Sequence, residues 1–190
     1  MFTGNDSLDD SVTPWKQSSL FILNVKDKKV EKISDSKGVF TSPKASPDGT
    51  KIVFTGHPSQ NYSSVAYDVY VRDVDQGKNK LLTKNLSSSP KSLFWLNKNE
   101  VVFELDHRGS AKIMKLNLAN SKLSDVIPGF KDQFFLSSTH ENSLYGVYVN
   151  PERPAEVATI NNSELETMTQ HNELTMSQYN LGITNEINYR

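Results

Sequence analysis

Apolar residues come along this chain in short runs of roughly four to seven, bounded by Gly, Pro, Asn, Asp and Ser, and a helical repeat is almost absent. Each run predicts a strand. They are Ser18–Val25, Lys28–Ser34, Lys51–Gly56, Tyr67–Asp73, Asn79–Thr83, Ser92–Leu96 and Glu100–Asp106, then Ala111–Leu118, Ser121–Ile127, Gln133–Ser137, Ser143–Val149, Ala155–Asn161 and Ser163–Thr169. So many short strands at close spacing predict a sandwich, a barrel or a propeller.

A recurring pair separates these options. A short amphipathic strand follows a longer one at Lys28–Ser34, Asn79–Thr83, Ser121–Ile127 and Ser163–Thr169. The copies recur about every 42–49 residues, within the range of propeller blades. The reading is an all-β chain, a partial β-propeller of about three and a half four-stranded antiparallel blades. Residues 1–17 are expected to be a flexible N-terminal segment and 18–39 a half blade. Whole blades are expected over 40–84, 90–128 and 130–170, followed by a hinge from 171. The second strand of a blade lies between neighbours on both faces, so it should be continuously apolar. Ile52–Phe54, Val101–Phe103 and Leu144–Val149 fit that slot. Ser46-Pro47-Asp48-Gly49 makes the turn before the first of them. Outer strands such as Lys28–Ser34 carry the charge expected of sheet edges.

Composition removes several function classes. The chain has 190 residues, 21 Lys and Arg against 22 Asp and Glu, and a net charge of -1. No concentrated basic face is present, so neither a nucleic-acid nor a membrane surface is expected. There is no cysteine, which rules out disulfides, thiolate metal sites and a thiol nucleophile. That composition suits a reducing cytoplasm, the expected location. No apolar stretch nears the roughly 20 residues that span a bilayer, and the N-terminus lacks the pattern of a leader.

Ser46-Pro47-Asp48-Gly49 before Ile52-Val53-Phe54, then Tyr67–Asp73 and Lys80-Leu81-Leu82-Thr83, resembles the blade repeat of TolB-like and prolyl oligopeptidase family propellers. Val101–Leu118, with its Asp-His-Arg-Gly-Ser turn, is similar to a blade of the acylaminoacyl-peptidase and dipeptidyl-peptidase-like members, as is Asn150–Asn161. Ser163–Arg190 looks like the exit from that propeller: Met168-Thr169 ends an outer strand, His171-Asn172-Glu173 is the hinge, and Glu186–Arg190 begins the next domain. The resemblance implies that 171–190 leads into an α/β-hydrolase domain carrying Ser, Asp and His, with the serine in G-x-S-x-G. This chain has no G-x-S-x-G and is expected to be inactive alone. The implied function is a non-catalytic fragment, the C-terminal part of the propeller of a serine peptidase, gating the access of short peptides. The implied partners are a peptide substrate and the hydrolase domain. The alternatives are a TolB-like scaffold for protein binding with no hydrolase domain, and a small β-sandwich. Three and a half blades also leave open apolar faces, through which the chain is expected to self-associate.

Candidate chemistry is sparse. His57, His107, His140 and His171 lie in separate segments without metal-ligand spacing. Asp6–Asp10 lacks the Gly and distal Glu of a calcium loop. Ser-x-x-Lys at Ser34 and Ser88, and the Asn-x-Ser sequons at Asn5, Asn61, Asn85 and Asn161, read as chance in a chain of this composition. Asp48 is explained by its turn, and Phe94 and Trp95 by a core position. No metal, cofactor or catalytic residue is expected. Arg108 is the single candidate: its turn sits at one end of a blade, where it can face a substrate cavity or else form a salt bridge or bond a loop carbonyl.

Overall fold

The computed structural model describes residues 1–4, 17–34, 37–58, 65–182, 184–185 and 187. Four antiparallel sheets follow one another along the chain. Sheet 1 holds β1 (Phe2–Gly4), β2 (Ser19–Leu23) and β3 (Val30–Lys32). Sheet 2 holds β4 (Val39–Ala45), β5 (Lys51–His57), β6 (Asp68–Asp73) and β7 (Lys78–Leu81). Sheet 3 holds β8 (Lys91–Asn97), β9 (Glu100–His107), β10 (Ser110–Asn117) and β11 (Leu123–Asp125). Sheet 4 holds β12 (Gln133–His140), β13 (Ser143–Asn150), β14 (Arg153–Asn161) and β15 (Glu164–Thr167), and a single turn of helix, α1 (Glu173–Met176), follows it. Every strand pairs with its neighbour in sequence order, the meander of a propeller blade.

The sheets stack face to face, and each seam between them is an apolar core. Between sheets 1 and 2 lie Leu20, Ile33, Phe40, Ile52 and Phe54. There Phe54 stacks on Tyr70 at 5.3 Å, with Phe40 edge-on to both rings. Between sheets 2 and 3 lie Val53, Val69, Val71, Val101, Phe103, Met114 and Leu116 among others. Between sheets 3 and 4 lie Val102, Ile113, Phe134, Leu136, Leu144, Tyr148 and Ile160. Burying each such side chain contributes roughly 1.5–3 kcal/mol, the driving force that holds one sheet on the next.

This packing explains the apolar triplets. Along β5, Ile52 and Phe54 enter one seam while Val53 enters the next. Along β9, Val102 faces sheet 4 while Val101 and Phe103 face sheet 2. β13 differs: Leu144, Gly146 and Tyr148 are buried, whereas Tyr145 and Val147 are only half covered. Among the described residues sheet 4 is covered on one face only, so its second strand alternates. Phe2–Gly4 falls outside every run that the apolar pattern marks, yet it pairs with β2 and Phe2 stacks on Phe21 at 5.3 Å.

Polar groups stitch each seam. The buried Arg72 donates to Ile33 O at 3.3 Å and Gly77 O at 2.8 Å, and its other nitrogen meets Glu31 at 3.3 Å. Trp95 Nε1 donates to Lys44 O at 3.0 Å, tying sheet 3 to sheet 2. Thr139 Oγ1 donates to Trp95 O at 2.6 Å, and Leu136 N donates to Glu104 at 2.5 Å, tying sheet 4 to sheet 3.

Candidate functional site

Strand directions sort the connections into two ends. The β9–β10 and β13–β14 turns, the start of β12 and the end of β15 all lie at one end. The hairpin carrying Asp48 lies at the other.

The first end holds a cavity of about 690 Å³ between sheets 3 and 4. His107, Arg108, Gly109 and Ser110 line it from the β9–β10 turn, Lys131 and Asp132 from the loop before β12, and Asn150 to Glu152 from the β13–β14 turn. Thr184 and Asn185, beyond the last sheet, complete the wall. The volume is in the range of small-ligand sites. Its lining carries three cationic side chains, Arg108, Lys112 and Lys131, against Asp132 and Glu152. Lys112 is engaged by Asp125 at 3.2 Å. Asp132 accepts Tyr148 Oη at 2.6 Å, and Asn150 Nδ2 donates to that same hydroxyl at 2.7 Å. Burial and then the Asp132 carboxylate push the Tyr148 hydroxyl up, so it stays a neutral donor.

Arg108 is therefore placed in a cavity wall, on an exposed turn. Its φ is 49° and that of Gly109 is 79°, the two left-handed positions of a two-residue hairpin turn. Asn or Gly suits the first position; an Arg there costs roughly 1–2 kcal/mol of backbone strain.

A second site was not visible in the motifs. Glu156, the buried acid at the middle of β14, accepts Thr169 Oγ1, Asn172 N at 2.9 Å, Asn172 Nδ2 at 3.0 Å and His171 N at 3.3 Å. These bonds, the Thr169 hydroxyl foremost, hold its carboxyl down at about 2. One carboxylate thus fixes the start of the segment that leaves the last sheet, from Thr169 to Asn172. Sheet 2 has the same device: Thr83 Oγ1 donates to Asp68 at 2.8 Å. In both, the hydroxyl also accepts the next backbone N–H, of Val69 at 2.8 Å and of Val157 at 2.9 Å. The legible signal was an acid just before the third strand's first valine, answered by Thr on the far side of the fourth: Asp68-Val69 with Thr83, Glu156-Val157 with Thr169.

The other candidates stand apart. His57 is buried beside Tyr67, His107 edges the cavity, His140 lies at the opposite end near Glu141, and His171 is exposed. Among the described residues no group of three or more His, Cys, Asp or Glu could hold a metal ion. Nor is any described helix long and apolar enough to cross a membrane. Asp48 accepts Ser46 Oγ at 2.6 Å, Thr50 Oγ1 at 2.8 Å and Thr50 N at 3.1 Å, so it closes its own turn. Trp95 is buried and Phe94 packs at a seam. Asn5, Asp6–Asp10, Asn61 and most of Glu186–Arg190 lie outside the described residues.

No protein-family model matches the sequence, and no curated protein is significantly similar to it. Solved structures do match. The acylaminoacyl peptidase of Pyrococcus horikoshii superposes with a TM-score of 0.69 at 22% identity, over 87% of this chain and 25% of that one. The β-propeller domain of the Trilobed protease from Pyrococcus furiosus, described as having an open velcro topology, gives 0.63 at 19% identity, over 83% of this chain and 45% of that one. TolB from Acinetobacter baumannii gives 0.57 at 16%, over 84% and 39%. The chain thus spans a quarter to less than half of these structures, and the shared feature is the propeller fold.

Proposed function

We propose that this chain is the propeller portion of a serine peptidase that acts on short peptides. In this reading it contains no catalytic residue and controls access to an active site on an α/β-hydrolase domain continuing from the exit segment. The observation that supports it is a coincidence of ends. The exit segment, held by Glu156, leaves from the end that bears the Arg108 cavity, and Thr184 and Asn185 lie in that cavity's wall. A domain attached there would sit over the cavity, so a peptide on its way to the nucleophile would pass Arg108. The acylaminoacyl peptidase match supports the same reading. A chain without cysteine suits the cytoplasm, where we place the protein.

Arg108 is the substrate contact in this scheme, and its strained turn gives a clean test. Arg108→Asn is expected to keep or raise thermal stability, by up to about 1 kcal/mol, because Asn fits the left-handed position. It should also weaken binding of short peptides at least about fivefold, the loss of one charge-assisted contact. Nuclear magnetic resonance titration of the 190-residue chain with tri- to pentapeptides reads both the site and the affinity. Shifts clustered on His107–Ser110, Lys131–Asp132 and Asn150–Glu152 are expected. Equal binding by wild type and variant would remove Arg108 from the role. For the hydrolase domain, a fluorophosphonate probe should label a longer polypeptide that antibodies against this chain also detect.

The TolB match supports a second reading, a propeller scaffold for protein binding without a hydrolase. It expects no labelled band and no peptide-induced shifts at Arg108.

A further inference from the structure

Two cationic side chains of the Arg108 cavity are left without a partner once its internal bonds are counted. Lys112 is held by Asp125 at 3.2 Å. Asp132 accepts the Tyr148 hydroxyl, which Asn150 holds in turn. Glu152 is shared with two neighbouring clefts. Arg108 and Lys131 both line the cavity, and among the described residues neither makes a hydrogen bond or an ion pair.

These two cations come from different sheets. Arg108 lies in the β9–β10 turn of sheet 3, and Lys131 in the loop that enters β12 of sheet 4. Gln133 Nε2 donates to Gly109 O at 3.3 Å, which pins the two loops to one another. Both cations therefore border one mouth. Arg108 is also held at a backbone position that suits Asn or Gly, strain of the kind that gathers at functional positions.

A guanidinium offers a planar fork matched to a carboxylate, and an ammonium adds a point charge. Asp132 and Glu152 stay in the wall, so a doubly charged phosphate is opposed more strongly than a singly charged carboxylate. A short peptide carries one such group at its end, whatever its side chains are, and a cavity of about 690 Å³ is the size that holds a small ligand. We propose that Arg108 and Lys131 together hold the free C-terminal carboxylate of the peptide. This rests on the peptide reading given above for the same cavity and adds what the cavity reads. Short peptides are selected by their end group rather than by sequence, and Lys131 joins Arg108 as a specificity-determining residue.

The test is a nuclear magnetic resonance titration of the 190-residue chain with N-acetyl-trialanine, its C-terminal amide, and N-acetyl-Ala-Glu-Ala amide. Acetylation removes the peptide's ammonium, so Glu152 has nothing to attract. The free acid is expected to bind at least about tenfold tighter than either amide. Lys131→Gln and Arg108→Asn should each shrink that preference at least about threefold and leave the affinity for trialanine amide unchanged. Both side chains are exposed, so neither change disturbs a core. Lys98→Gln, in the β8–β9 hairpin at the opposite end, removes the same charge and should leave the preference intact. Equal affinity for acid and amide, with shifts still on His107–Ser110, overturns this proposal and leaves the peptide reading standing. No shifts with any of the peptides overturns both. The proposal also falls if the Glu peptide binds as tightly as the free acid, since a side-chain carboxylate then serves as well. It falls too if Lys98→Gln erodes the preference as much as Lys131→Gln, which would make it an effect of bulk charge.

Discussion

Gly56 and Gly146 show how little room a seam leaves. They sit on the second strands of sheets 2 and 4, opposite Phe40 and Leu136. A Cβ on Gly56 would come 2.2 Å from Val39 O, and one on Gly146 2.3 Å from Phe135 O, with Phe40 and Phe134 rings closing over the same spots. Gly146→Ala is expected to destabilise by about 1–3 kcal/mol, the usual cost of overpacking, read by chemical denaturation. Asp48 and Glu156 set the acid limit. Their carboxyls lie at about 2 in the folded chain, below ordinary values of 3.8 and 4.5. A lowered folded value means the contribution is whole above the unfolded value and is lost as pH falls toward 2. Thermal melts between pH 6 and 2 should show the wild type losing stability through that window. The double variant Asp48→Asn, Glu156→Gln should be less stable at pH 6 and lose less on acidification.

Among the elements, the first strand of sheet 2 was the least legible. Val39–Ala45 has a Pro and two lysine or serine interruptions, and only Val39 and Phe40 are buried, so no apolar run marks it. Its register slips between Thr41 and Lys44, with Ser42 at φ 55°, and β8 slips likewise between Lys91 and Phe94, with Ser92 at 50°. Bulges break the period-two pattern that sequence reading relies on. The second and third strands were plain because seams on both faces demand apolar residues. Arg108 was legible as a turn residue, but its cavity depends on the approach of two distant turns. The Glu156 clasp was hidden because a buried acid in a strand looks like an ordinary exposed one. Glu156→Gln leaves a weaker acceptor for Thr169 and the Asn172 N–H; hydrogen exchange across residues 169–177 should speed up while sheets 2 and 3 are unchanged. Arg72→Met would leave Ile33 O and Gly77 O without that donor and should cost about 1–3 kcal/mol, seen first as faster exchange in sheet 1.

For the whole molecule, neighbour-only contact means stability is a sum of sheets and seams. Sheet 1 has three short strands and one covered face, whereas sheets 2 and 3 share the largest core. Exchange protection is therefore expected to peak on β5, β6, β9 and β10 and to fall toward both ends of the chain, with sheet 1 opening first. Uniform protection across all four sheets would contradict this picture.

The hydroxyl that ends sheets 1, 2 and 4, at Ser34, Thr83 and Thr169, has one further consequence. It takes up a backbone N–H of the last strand but one of its own sheet, so the chain beyond it starts without debt to what came before. That makes each hydroxyl a natural splice point. Duplicating residues 35–83 after Thr83 would keep the seams with sheets 1 and 3 and add one new seam, Val53, Val69 and Val71 of the first copy against Phe40, Ile52 and Phe54 of the second.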